Sequence, residues 1–323
     1  MNIVKLGYEI IEQEPGLTGL YKAAELPGRI CYGSMDKITD TSADEFVKRL
    51  MKSNHGAPLE HGTVYLTRSI KYPDYSEMDD RRDVLDFVNK YAANKYSVVR
   101  ENQYRDHFFI TTNLRVLFEN DWLYDLKYFC DPTPYHEKRI MVRFTTNIGV
   151  TREYNRHRAN SMNEESTRYN NYTKDKHGNE ISVTMNGRFY DKEDKLADAN
   201  KSSLEDWCKI IAESGGDGFT DIDYWVFGNK AAEWSYSNLI NKCGWRQQEA
   251  RDLLPLDLKS NLIHTAFGKD WVHFFELRAL GTTGAPHPQA KELAYPLMEE
   301  FLKRGYITKD DLYKTARSNE NRS

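Results

Sequence analysis

No stretch of the 323-residue chain approaches eighteen consecutive apolar residues, which excludes a protein that crosses a membrane by helices. Cysteine is scarce: Cys31, Cys130, Cys208 and Cys243 stand far apart with no C-x-x-C pair, so neither a disulfide framework nor a metal site is expected. Each is expected as a small buried hydrophobe rather than a nucleophile. Positive charge is not in excess, since 45 Lys and Arg face 49 Asp and Glu for a net charge of -4. That balance counts against a general nucleic-acid coat protein, and any anionic ligand must be met by local clusters. No basic segment followed by a long apolar core opens the chain, so a cytoplasmic location is expected. Repeats and low-complexity tracts are also lacking.

What is present is enough for a core. Apolar residues make up 39% and aromatics 13%, too much for a solvated coil, although the mean hydropathy is -0.75. Ile3–Leu6 is expected as a short strand, and the rest of residues 1–66 as a turn-rich piece followed by an amphipathic helix over Ser42–Met51, capped by Thr41 or Ser42. Charged and aromatic residues dominate 67–136, expected as a helix with short strands or turns. Ile140–Thr145 is expected as a strand, Val150–Ala159 as a helix, and 170–228, rich in Gly, Asn and Asp, as surface loops.

Two further helices follow from periodicity. Over Lys230–Cys243 the apolar residues keep helical spacing, with Gly244 as the residue past the end. Over Phe267–Ala279 the stripe Phe267, Trp271, Phe274, Phe275 ends in Arg278, a charge that either snorkels past the helix end or is held for an anion. The chain from Lys309 on is expected as a flexible tail after one domain over 1–308.

The segment Arg152–Tyr169 concentrates Arg152, Arg156, Arg158, Arg168 and His157 around Ser161, Asn163, Glu164 and Ser166. Such a set can bind a phosphate monoester through arginine forks supplemented by hydroxyls and amides, or it can be a solvated charged face. A nucleophilic Ser166 is disfavoured, because no base is evident beside it.

RHRANSMNEESTRY, residues 156–169, agrees at all nine fixed positions with R-H-R-x-x-S-x-N-E-x-S-x-R-Y, the signature of flavin-dependent thymidylate synthases. At about 5% abundance per residue type, chance agreement would occur in roughly 10⁻⁹ of such chains. RICYGS (29–34), HGAPLEH (55–61), EARDLLPLDL (249–258), DWVHFFELR (270–278) and HPQAKELA (287–294) resemble other segments of that family, in its order. The resemblance covers about 1–66 and 137–300, with 67–136 and 174–228 as insertions.

This resemblance implies an α/β (α+β) fold with helices packed on a mainly antiparallel sheet, and a homotetramer whose sites draw on several subunits. It implies a methyltransferase converting dUMP to dTMP, with methylenetetrahydrofolate as carbon donor and FAD, reduced by NADPH, as hydride carrier. By the same resemblance Glu153, Arg156, Glu164, Ser166, Arg168, Arg251 and backbone groups of Glu165 and Thr167 are expected at dUMP. Arg278 matches the arginine that stabilises the uracil ring as an anion, and is the expected catalytic residue. His55, Ala57, Glu60, Arg156, His157, Arg158, Glu164, Lys269 and His273 are expected at FAD or folate. Ala57 stands where Ser or Thr is usual, and Lys269 and His273 take the places of an arginine and an asparagine. His273 is equally consistent with a helix-surface histidine. The rival expectation is a nucleotide- or RNA-binding protein without catalysis, suggested by 21 tyrosines and the Arg-Tyr-Asn clusters near Tyr169.

Overall fold

In the computed structural model, which describes residues 1–70 and 78–312, the chain opens with strands β1 (Asn2–Val4) and β2 (Gly7–Ile11), then helices α1 (Gly16–Cys31) and α2 (Ser42–Lys52). Strand β3 (Thr63–Ser69), helix α3 (Met78–Ala92), strands β4 (Val98–Glu101) and β5 (His107–Asn113) and helix α4 (Leu114–Glu119) complete the first half. The second half runs through β6 (Arg139–Asn147), α5 (Ile148–Tyr154), β7 (Ser161–Glu164), β8 (Ser182–Thr184), α6 (Glu193–Lys201) and α7 (Leu204–Ser214). It ends with α8 (Asp221–Asn241), α9 (Gln247–Ala250), β9 (Lys259–Phe267), α10 (Gly268–Phe275) and α11 (Pro288–Lys303).

The central sheet is antiparallel in the order β2-β6-β9-β7, and β3-β5-β4 forms a second antiparallel sheet. Alternation along β6 decides what covers each face. Val142 and Phe144, both fully buried, join Leu262 of β9 against Trp271, Phe274 and Phe275 of α10 and Leu297 and Phe301 of α11. Met141 and Ile263 point the other way, onto Ala23 and Ile30 of α1. The sheet therefore lies between helices, as the fold class requires. The pair β1–β8 is parallel, the exception among these strands. No helix among the described residues is long and apolar enough to cross a membrane.

Several expectations are corrected. The piece before α2 is turn-rich in composition, yet residues 16–31 are helical. Its glycines serve close approach: a Cβ at Gly28 would come within 2.6 Å of the Phe46 ring on α2. Residues 170–228 are not loops, since α6, α7, β8 and the first turns of α8 lie there. Their polar residues are caps. Ser203 and Thr220 form reciprocal capping boxes with Asp206 and Asp223, and Gly215 closes α7 in the left-handed region at φ 66°. Leu196, Trp207, Ile222 and Val226 are buried beneath them as a small core. Helix α8 accordingly begins at Asp221 rather than Lys230.

The helix expected over Val150–Ala159 starts at Ile148, where Asn147 caps it by accepting the Val150 N–H, and stops at Tyr154. Residues 67–136 share a core with α1 and α2, in which Val84, Tyr91 and Ile110 join Leu20, Phe46 and Leu50. The expected tail is helical at Lys309–Leu312, with Leu312 buried, and its remainder lies outside the described residues. Cys208 and Cys243 are exposed rather than buried, while Cys31 and Cys130 are half-buried, with thiols pushed up by burial.

Candidate active site

The segment that follows α10 is a π-helical turn, Glu276–Leu280, which widens the helix where Arg278 leaves it. Arg278 is half-buried, as its position on an apolar stripe predicts. Its Nη1 donates to Glu153 Oε2 at 2.7 Å and its Nε to His157 Nε2 at 3.2 Å. A buried guanidinium needs a partner, and here the partner is within the chain, so burial alone does not demand a ligand. Nη2 has no hydrogen-bond partner among the described residues.

His157 is the buried member of the Arg156-His157-Arg158 triplet, at 5% exposure, while both arginines are exposed. Burial first, then the charges of Arg278 and His273, bring its pKa down to about 4. It is a neutral imidazole at pH 7 and accepts from Arg278. His273 is exposed, its ring 5.6 Å from that of His157. Arg156 reaches Glu153 only at 3.9 Å.

A second group forms beyond β7. Glu164 is a strut: Oε1 accepts from Thr151 Oγ1 at 2.7 Å and Ser260 Oγ at 3.0 Å, and Oε2 from Asn155 Nδ2 at 2.9 Å. It thereby ties α5, which carries Glu153, to β9. Glu165 Oε2 is held by Lys259 Nζ and Asn261 Nδ2, both at 2.8 Å, and its backbone N–H donates to Asn261 O. That N–H is used within the chain rather than free for a nucleotide. Neither carboxylate pairs with a signature arginine, so the two do not offset Arg168, which is exposed.

Thr167 Oγ1 accepts from Arg251 Nη1 at 3.4 Å, bringing the two arginine-bearing segments together. Ser166 Oγ accepts the Arg168 N–H at 3.3 Å. No histidine or carboxylate among the described residues is hydrogen-bonded to Ser166. Nearby, Tyr32 of the first family-like segment bonds His55 Nδ1 at 2.5 Å, and its ring lies 5.4 Å from Tyr169. His61, fully buried, bonds Thr265 Oγ1 at 2.8 Å and Asn163 Oδ1 at 3.2 Å. Three segments distant in sequence thus converge on the signature.

A cleft of about 660 Å³ is lined by residues of β7 and β9, and it includes Glu60, Arg158 and Lys269. Arg139, half-buried in its wall, donates to Glu60 O at 2.8 Å and Ser161 Oγ at 2.9 Å, and loss of solvation pulls its pKa down to about 10. Arg115 bridges Glu60 and Glu119 at 2.5 and 2.6 Å. Lys95, Arg139, Arg158 and Lys269 are left without an ion-pair partner among the described residues. The cleft is of a size that takes small-molecule ligands, and cations without a carboxylate partner suit a diphosphate.

His55, Ala57, Arg156, His157 and His273 do not line this cleft, and neither do Glu153, Ser166, Arg168, Arg251 and Arg278. Sequence reasoning missed Arg115, Arg139 and Lys95. Arg139 is the first residue of the apolar strand β6, a charge that the sequence reading passed over; Lys95 and Arg115 lie in residues 67–136, where no motif marks them.

The family model described as thymidylate synthase complementing protein matches residues 132–304. No curated protein matches the chain. Among solved structures, the chain is similar to a UMP/dUMP methylase PolB from Streptomyces cacaoi bound with 5-Br dUMP, at 15% identity over 94% of this chain and 93% of that one, TM-score 0.38. The same methylase bound with 5-Br UMP gives 16% identity over 94% and 92%, TM-score 0.39. Thymidylate Synthase X from Helicobacter pylori with FAD and dUMP gives 12% identity over 95% and 99%, TM-score 0.37.

Proposed function

Because the chain belongs to the thymidylate synthase complementing protein family, we propose that it is a flavin-dependent thymidylate synthase, methylating dUMP reductively to dTMP with methylenetetrahydrofolate and NADPH. The observation that carries the reading is the setting of Arg278, whose guanidinium is fixed by Glu153 and a neutral His157, with Nη2 unpartnered among the described residues. Methylation at C5 of uracil requires electron density there. An arginine fork on the N3 and O2 edge supplies it by stabilising the ring as an anion, and a guanidinium already fixed in direction pays no reorganisation cost when that charge develops.

Arg168 and Arg251, with the hydroxyls of Ser166 and Thr167, are suited to the phosphate of dUMP through charge-assisted bonds. Glu164 serves them indirectly by locking α5 to β9. His157 holds Arg278 in direction through its Nε2.

The chemistry that FAD supplies when bound is hydride carriage. The cleft fits its diphosphate, since Arg158 and Lys269 have no ion pair among the described residues and Glu60 is tied to Arg115. His55 and His273 would complete the cofactor side, and Ala57 offers no hydroxyl to it. The nucleotide-side residues lie outside the cleft and Arg168 and Arg251 are exposed, which supports a homotetramer that joins the two groups across subunits.

The test is tritium release from dUMP labelled at C5, with folate, NADPH and FAD, and UMP as a parallel substrate. Release from dUMP is the expected result. Nucleotide binding with no release would favour the rival, a binding protein without catalysis.

A further inference from the structure

The inserted segment 67–136 contributes part of the cleft wall. Between α3 and β4, Asn94 Oδ1 accepts the Tyr96 N–H at 2.9 Å and Ser97 Oγ–H at 3.3 Å, while Ser97 Oγ also lies 2.8 Å from Thr112 Oγ1 of β5. This fastens the turn to a buried strand, so the side chains on it have a fixed origin. Asn94, Lys95 and Tyr96 line the same cleft as Arg158 and Lys269. Lys95 Nζ lies 4.7 Å from the Tyr96 ring centroid, and that ring is 48% exposed.

Charge accounting singles out Lys95. Arg115 pairs with both Glu60 and Glu119 but offsets only one of these two charges. Asp270 is the remaining carboxylate on the cleft wall; against it stand Lys95, Arg139, Arg158 and Lys269, four cations with no ion pair among the described residues, so the lining keeps a net positive charge. An uncompensated positive rim beside an exposed aromatic ring is a combination that meets both parts of a nucleotide, a diphosphate and a base.

We propose that Lys95 and Tyr96, with Arg158 and Lys269, bind the adenosine diphosphate moiety that FAD and NADPH share, Lys95 on the diphosphate and Tyr96 stacked on the adenine. The turn lies outside residues 132–304, so this contact belongs to the inserted segment and not to the part of the chain that the family model matches. The proposal rests on the flavin reading only for which dinucleotide is taken.

The experiment titrates the full chain with FAD, NADPH, ADP, inorganic pyrophosphate and riboflavin. Lys95→Ala is expected to weaken FAD and ADP by about tenfold or more, the scale of one charged hydrogen bond, with less than a twofold change for riboflavin. FAD affinity should also depend less on salt in that variant. Tyr96→Ala is expected to weaken ADP but not pyrophosphate. Lys209→Ala, an exposed charge change on α7 that does not line the cleft, should alter none of these. Unchanged FAD and ADP affinity in Lys95→Ala, or a wild-type protein that binds neither, overturns the proposal. A wild-type protein that takes up NADPH and ADP but no FAD, with both weakened by Lys95→Ala, upholds this site and refutes the flavin reading.

Discussion

Arg278 and Glu153 are joined by a 2.7 Å ion pair that links the π turn after α10 to the last turn of α5. The pair holds one arm of the guanidinium and leaves another for a ligand. Arg278→Lys keeps the charge but loses the planar fork, so it should lower turnover by about 100-fold or more while flavin content stays at the wild-type level. Tritium release measured beside flavin absorbance decides this. A Lys variant with near wild-type turnover would reduce Arg278 to a structural tie with Glu153.

Arg168 is exposed and unpaired with either neighbouring glutamate, so its removal should cost the fold little and the ligand much. Arg168→Ala is expected to weaken dUMP binding by roughly 1.5–3 kcal/mol, with FAD binding unchanged. Calorimetric titration with dUMP measures it, and equal affinities would remove Arg168 from the site.

Glu164, by contrast, accepts three hydrogen bonds from Thr151, Asn155 and Ser260. Glu164→Ala should destabilise the protein by roughly 2–4 kcal/mol, because three donors lose an ionised acceptor. Urea unfolding with an unchanged midpoint would contradict the strut.

Acid should act through the buried histidines. Burial brings His157 down to about 4 and His61 to about 3, and holds His264 well below its ordinary 6.5. Native imidazoles stay neutral where those of the unfolded chain take up protons. The stability they contribute is therefore complete above about pH 6.5 and is lost as the pH falls toward their native values. The urea midpoint should fall from pH 7 to pH 5, before most carboxylates titrate, and His61→Gln should reduce that slope. A midpoint that rises on acidification would show that these rings are protonated in the native state.

The signature was legible because its residues are contiguous, and the strand over Ile140–Thr145 because its apolar residues are consecutive. The stripe through Phe274 and Phe275 likewise predicted a half-buried Arg278. Its ties to Glu153 and His157 were not legible, since they depend on β6 and β9 bringing α5 beside α10. Helix α1 was hidden by Gly16, Gly19, Pro27 and Gly28, whose composition suggests turns while α1 uses Gly28 for contact with α2. In 170–228 the same ambiguity hid helices behind their own caps. Lys95 carried no sequence signal, because only the cleft around it makes a lone lysine on a turn informative.

The central pairing of β6 with β9, in which Arg139 lies opposite Phe267, has a consequence for how the polypeptide acquires its shape during synthesis. Strand β6 emerges from the ribosome with one sheet neighbour, β2, already made, and its other edge stays open until the whole of 148–258 has followed. The sheet β3-β5-β4 needs no such wait, since all its strands precede β6. The N-terminal half should therefore collapse first, and closure of the central sheet across the long intervening segment should be the slow step. Until β9 arrives, the exposed edge of β6 is the place where a nascent chain of this protein is open to pairing with the wrong partner.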